Sequence, residues 1–231
     1  MPILKKWRLG VWLGAWLVTL NVAIHPALAT SISTKPVIAV LGDSLSAEYG
    51  LPRGTGWVAL MRQRLIDKRL DYSVANASIS GDTTSSARTR LPALMQRLKP
   101  SIVLVELGAN DALRGVALAT TEENLRAIIH QARQHGAQVV LLGMYVPSNY
   151  GLDYMRKFHT LYRVLAKEMH VPLVPFLLAG IENQPEMFQA DQMHPTQQAQ
   201  PVLLNNVWPM LEPLLSNNNS GNKSGSSRSP E

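Results

Sequence analysis

The segment SIVLVEL, residues 101–107, is apolar at nearly every position instead of at every second one. A strand of that kind has no face to offer to water, so the sheet that holds it must be covered on both sides. Similar short apolar runs recur at 37–41, 72–77, 138–144 and 172–177. Between them lie longer stretches with helical spacing: 56–70, 83–98, a segment from Thr120 to Gly136, 154–170 and 197–215. Strands alternating with helices build βαβ units and a parallel sheet. The expected fold class is therefore α/β, a three-layer α/β/α domain with a parallel sheet of about five strands.

Local signals set the expected boundaries. Thr120-x-x-Glu123 reads as a capping box and Gly136 as the stop of the same helix. Pro92 sits inside the 83–98 pattern and is expected to divide it into two pieces. Pro201 falls in the first turn of the last helix.

The ends of the chain differ in character from the middle. Lys5, Lys6 and Arg8 precede an apolar stretch from Leu9 to about Ile24, and Ala27-Leu28-Ala29 follows. This is the layout of a secretory signal peptide at 1–29, cut after Ala29. Its apolar run is shorter than the roughly 20 residues that span a bilayer. No later run is long enough for an integral membrane segment. Loss of the leader takes the formal charge from +6 to +3. With no basic run interleaved with aromatics, nucleic acid is not an expected partner. The chain has no cysteine, which excludes a thiol nucleophile, disulfides and thiolate metal sites. A periplasmic or secreted domain at 30–215 is expected. The polar stretch at 216–231 is expected to be a disordered tail.

Ligands of an open parallel sheet bind beyond the carboxyl ends of the strands. Ser44 follows the first apolar run, Gly81 the second and Asn110 the third, and Asp191 and His194 precede the last helix. Each group taken alone has an ordinary structural reading. Gly42-Asp43-Ser44 makes a turn with a cap, Gly81 permits a turn, Asn110-Asp111 caps a helix, and Asp191 and His194 shape a surface turn. His130, His135, His159 and His170 lie in helical patterns without metal-ligand spacing. Taken together, the groups have a shared chemistry. A serine hydroxyl needs an adjacent base to act as a nucleophile. His194 can supply that base, and Asp191 can orient and stabilise its imidazole. The backbone N–H groups of Ser44 and Gly81, with the Asn110 amide, can donate to an oxyanion.

GDSLS, SGDT, GAND and D-x-x-H-P, in this order, resemble the four signature blocks of the GDSL or SGNH hydrolases. NASISGDT, LVELGANDALRG, LAKE-x-x-VPL-x-PF and the Pro147-x-Asn149-Tyr150-Gly151 loop resemble the periplasmic thioesterase, lysophospholipase and arylesterase subgroup. The resemblance spans about residues 37–215. It implies a flavodoxin-like strand order of 2-1-3-4-5, with Ser44 and Asn110 at the switch point. It also implies a catalytic triad of Ser44, Asp191 and His194, and an oxyanion hole of Ser44, Gly81 and Asn110. No metal or cofactor is expected. Asp43 and Arg114 are read as structural.

The expected activity is hydrolysis of carboxylic esters and acyl thioesters through an acyl-Ser44 intermediate, on a small-molecule or lipid acyl ester, by a monomer. A polysaccharide deacetylase of the same family is an alternative, although only 6% of residues are aromatic. A non-catalytic anion-binding module is another, but an anion cradle needs no general base. Tyr145, Val146, Pro147, Tyr150 and Leu152 follow the fourth apolar run and are expected to line a substrate groove, or else to be an ordinary connection covering the sheet edge.

Overall fold

The computed structural model describes residues 35–146 and 150–220, with side chains to Leu215. The expected leader and residue Pro147 lie outside the described residues, as does the tail beyond Ser220. Five strands form one sheet: β1 (Val37–Gly42), β2 (Ser73–Asn76), β3 (Ile102–Glu106), β4 (Gln138–Leu142) and β5 (Leu173–Val174). Their order is β2-β1-β3-β4-β5, and every pairing is parallel. The α/β fold and the strand order are those expected. All five residues of β3 are buried, as a central strand covered on both faces requires.

The helices are α1 (Trp57–Asp67), α2 (Thr84–Leu98), α3 (Ala109–Leu113), α4 (Leu118–Gln134), α5 (Leu152–Met169) and α6 (Gln200–Ser220). Three local expectations are corrected. First, α2 is continuous through Pro92. Pro92 is exposed, so the Arg88 carbonyl that loses its partner faces a solvated side of the helix, while Leu91, Leu94 and Met95 hold the other side in the core. Second, Thr120 and Glu123 do not form the cap of α4, which starts after Ala117 without a side-chain cap. Thr121 instead donates from its hydroxyl to the buried carboxylate of Asp111. Third, the last helix, expected to start at 197, is a 3₁₀ turn (Gln197–Ala199) followed by α6 from Gln200 to Ser220.

Long-range polar contacts set the ends of several helices. Gln200 accepts from the N–H of Trp57 at 3.0 Å and so caps α1. Asp111 accepts from the N–H of Thr84 at 2.9 Å and from the Thr84 hydroxyl. It thereby caps α2 from another segment, because the first N–H groups of a helix lack partners of their own. The Asp111 carboxylate thus ties the GAND turn to α2. Leaving such buried donors unpaired costs about 1–3 kcal/mol per group.

Among the described residues, no helix is long and apolar enough to cross a membrane.

Candidate active site

Ser44 lies in the turn that follows β1, held on three sides. The N–H of Ala47 donates to the Asp43 carbonyl at 2.9 Å. Asn76, at the end of β2, donates to the Ser46 carbonyl at 2.7 Å. Ile79 donates its N–H to the Gly42 carbonyl at 3.0 Å. Gly42 is required for space: a Cβ there would come within 2.8 Å of both Glu106 Oε2 and Ser46 Oγ.

The Asp191–His194 loop reaches Ser44 from the other end of the chain. Phe188 and Pro195 form an antiparallel bridge, and the Gln189 N–H donates to the His194 carbonyl at 2.7 Å. The Gln189 amide also donates to the Tyr49 carbonyl at 2.9 Å, which links this loop to the Ser44 turn. Asp191 divides its two oxygens. Oδ1 accepts the N–H groups of Met193 at 2.9 Å and His194 at 3.0 Å and so shapes the loop. Oδ2 lies 2.7 Å from His194 Nδ1. These bonds hold the Asp191 carboxyl down at about 2, the His194 backbone N–H contributing most. His194 Nε2 is 2.9 Å from Ser44 Oγ, which completes an unbroken Ser44–His194–Asp191 chain. The ring of Tyr49 packs against that of His194 with centroids 4.3 Å apart.

Gly81 and Asn110 line the same cavity as Ser44 and His194. Gly81 has φ +79°, in the left-handed region. Its carbonyl accepts from Arg114 at 2.8 Å, and Arg90 holds the neighbouring Asp82 through two bonds, the shorter 2.6 Å. Arg114, read as structural, thus holds the carbonyl of Gly81, in the peptide that leads to Asp82. Among the described residues, the N–H groups of Ser44 and Gly81 donate to no protein acceptor. Asn110 is the second residue of the short α3, and its amide donates to Asp43 Oδ2 at 2.9 Å.

The cavity has a volume of about 860 Å³. Its walls are mostly apolar, with Leu113, Met144, Val146, Met155, Leu178 and Phe188 from separate segments. Tyr145 also lines it, packed against Phe176 and His159. Tyr150 and Leu152 are not among its lining residues: Leu152 starts α5 with its side chain turned to solvent. The wall residues beyond the 145–152 loop carry no signature in the sequence. No periodic pattern links them, because they meet only in space. Among the described residues, no group of three His, Asp or Glu side chains is placed to hold a metal ion.

A Ser–His–Asp chain at the switch point of a 2-1-3-4-5 parallel sheet is the layout of an SGNH-type hydrolase. The model of the GDSL-like lipase/acylhydrolase family matches residues 40–200. The esterase TesA of Pseudomonas aeruginosa is 48% identical over 188 residues, covering 81% of this chain and 94% of that protein. Thioesterase 1/protease 1/lysophospholipase L1 of Escherichia coli K12 is 41% identical over 178 residues, covering 77% and 84%. The crystal structure of the psychrotrophic esterase EstA from Pseudoalteromonas sp., inhibited by monoethylphosphonate, superposes with a TM-score of 0.75 at 34% identity, covering 79% of this chain and 100% of that one. The chain belongs to the GDSL-like lipase/acylhydrolase family.

Proposed function

We propose that the protein is a secreted serine esterase that cleaves carboxylic esters and acyl thioesters through an acyl-Ser44 intermediate. The observation that carries this reading is the hydrogen-bonded chain from Ser44 through His194 to Asp191 at the floor of an apolar cavity. In the proposed cycle, Ser44 Oγ attacks the substrate carbonyl as its proton passes to His194 Nε2. Asp191 keeps the Nδ1 proton in place and stabilises the imidazolium. The carbonyl oxygen, now negative, accepts from the N–H groups of Ser44 and Gly81 and from the Asn110 amide. His194 then gives its proton to the departing alcohol or thiol. Water, activated by the same nitrogen, hydrolyses the acyl-enzyme.

The apolar walls favour an acyl chain over a sugar, which supports an esterase above the polysaccharide deacetylase. The Asp191–His194 pair has no use in an anion-binding module. The names of the two bacterial relatives agree with ester and thioester substrates. The leader-like segment at 1–29 supports secretion to the periplasm or beyond, with Thr30 as the mature N-terminus; intact-mass measurement of the exported protein tests that boundary.

A series of p-nitrophenyl esters and acyl thioesters tests the activity. kcat/KM is expected to rise from acetyl towards medium chains, because each buried methylene is worth about 0.8 kcal/mol, or about fourfold. Leu113→Asn, on the cavity wall, is expected to lower kcat/KM for long chains and spare acetyl esters. Leu152→Asn, outside the cavity, is expected to change neither. Equal losses for acetyl and dodecanoyl esters in Leu113→Asn would remove the groove assignment. Wild-type protein without esterase activity would remove the function.

A further inference from the structure

Beneath the Ser44 turn lies a pair of buried carboxyl groups that the cycle above does not use. Asp43 is 1% exposed and Glu106 is fully buried. Glu106 ends β3 directly beside Gly42 of β1, in register with it. Its Oε2 accepts from the Ser46 hydroxyl at 2.8 Å and from the Asp43 N–H at 3.2 Å. Among the described residues its Oε1 has no hydrogen-bond partner. An ionised carboxylate with one bare oxygen in such a place is costly, since nothing replaces the water it has lost. A neutral carboxyl avoids that cost and has a proton to donate, and the Asp43 carboxyl, whose own N–H already donates to Glu106, is the acidic group next to it.

Asp43 has a defined use for its negative charge. Oδ1 accepts the N–H of Leu45 at 3.0 Å, and Oδ2 accepts one hydrogen of the Asn110 amide. With one hydrogen of that amide tied down, the other has a fixed direction, and Asn110 lines the cavity beside Ser44. We propose that Glu106 is a positioning residue of this site: a neutral buried acid that holds the Asp43 carboxylate against Asn110 and so aims the Asn110 amide at the oxyanion.

The surroundings agree with a neutral Glu106. Burial, and next the Asp43 charge, push its carboxyl well above the ordinary glutamate range. Asp43 is pushed up by burial to about 6. Among the described residues, the titratable groups facing Glu106 are Asp43 from the β1 turn and Tyr162 from α5, whose hydroxyl donates to the Leu107 carbonyl at 2.7 Å. None of these is a cation. The glycine of the GDS turn has a place in the same device, because any Cβ at Gly42 would meet the Glu106 carboxyl.

The inference rests on the esterase reading, and two kinds of measurement separate the fates of the two. The first is steady-state kinetics on p-nitrophenyl butyrate. Glu106→Gln keeps a neutral donor and an acceptor, so kcat is expected to stay within about threefold of wild type. Glu106→Leu removes both and is expected to lower kcat by about 10–100-fold with KM nearly unchanged, part of the loss of one oxyanion donor. In an Asn110→Ala background the same change is expected to cost less than about threefold, because a residue acting through Asn110 has nothing left to position. A full loss in that background would overturn the proposal, as would Glu106→Gln falling as low as Glu106→Leu.

The second measurement is thermal stability against pH, which needs no substrate and no Glu106→Leu protein. A native-state carboxyl with a raised pKa keeps a proton that the unfolded chain releases. Its contribution is fully present below the unfolded value and is lost as pH rises through the folded one. From pH 5 to 8 the Tm of wild type is therefore expected to fall relative to that of Glu106→Gln. Parallel curves would mean that Glu106 is ionised and would overturn the proposal even if Glu106→Leu does not fold. Wild type inactive on every ester would end the functional reading, while the Tm curves would still report the state of Glu106.

Discussion

Ser44→Ala is expected to reduce kcat by about 10⁶-fold, His194→Ala to reduce it comparably, and the double variant to be little worse than either. The reason is the 2.9 Å contact between His194 Nε2 and Ser44 Oγ. A hydroxyl with no base beside it is a poor nucleophile, and a base with no nucleophile has nothing to deprotonate. Removing one member therefore removes the function of both. Steady-state kinetics of the two single variants and the double variant give the answer, since losses that multiply would mean that the two residues act independently. A phosphonate ester adds a direct check. It is expected to add its mass to the tryptic peptide containing Ser44 in wild type and to none in Ser44→Ala; a label on another serine would move the nucleophile.

Asn110→Ala is expected to lower kcat by about 10²–10³-fold and to leave KM nearly unchanged. The amide meets only a weakly polar carbonyl in the bound ester, and its bond strengthens as the oxygen becomes negative. Such an interaction lowers the barrier without tightening the ground state. The backbone donors at Ser44 and Gly81 remain in the variant, so activity well above the Ser44→Ala level is expected. A large rise in KM with kcat intact would make Asn110 a substrate-binding residue and leave the oxyanion without a side-chain donor.

The contrast between these residues and Glu106 shows how far residue type alone reaches. Ser44, Gly81, Asn110, Asp191 and His194 stand in or beside turns, where polar residues and glycine break apolar patterns and are easily picked out. Glu106 stands inside the apolar run SIVLVEL, where it reads as one polar interruption of a strand. Only the register that sets it beside Gly42 and under Asp43 gives it a role. The short α3 was missed for a related reason: at five residues, Ala109–Leu113 is too brief to show helical periodicity. The break expected at Pro92 did not form, because the solvent exposure of that position and the packing of Leu91 and Met95 are tertiary facts.

Hydrophobic patterning by itself determined the α/β class, the five strands and the five long helices, because burial on both faces of a strand and on one face of a helix is written directly into residue order. Strand order came only with the resemblance in the sequence blocks; patterning did not supply it. The tertiary structure alone decided which distant atoms meet. It brought His194 to Ser44 across 150 positions of chain, gathered the groove wall from segments with no shared pattern, and capped α1 and α2 with Gln200 and Asp111. Periodicity records how each segment faces a core. Which segments face each other depends on how the whole chain packs.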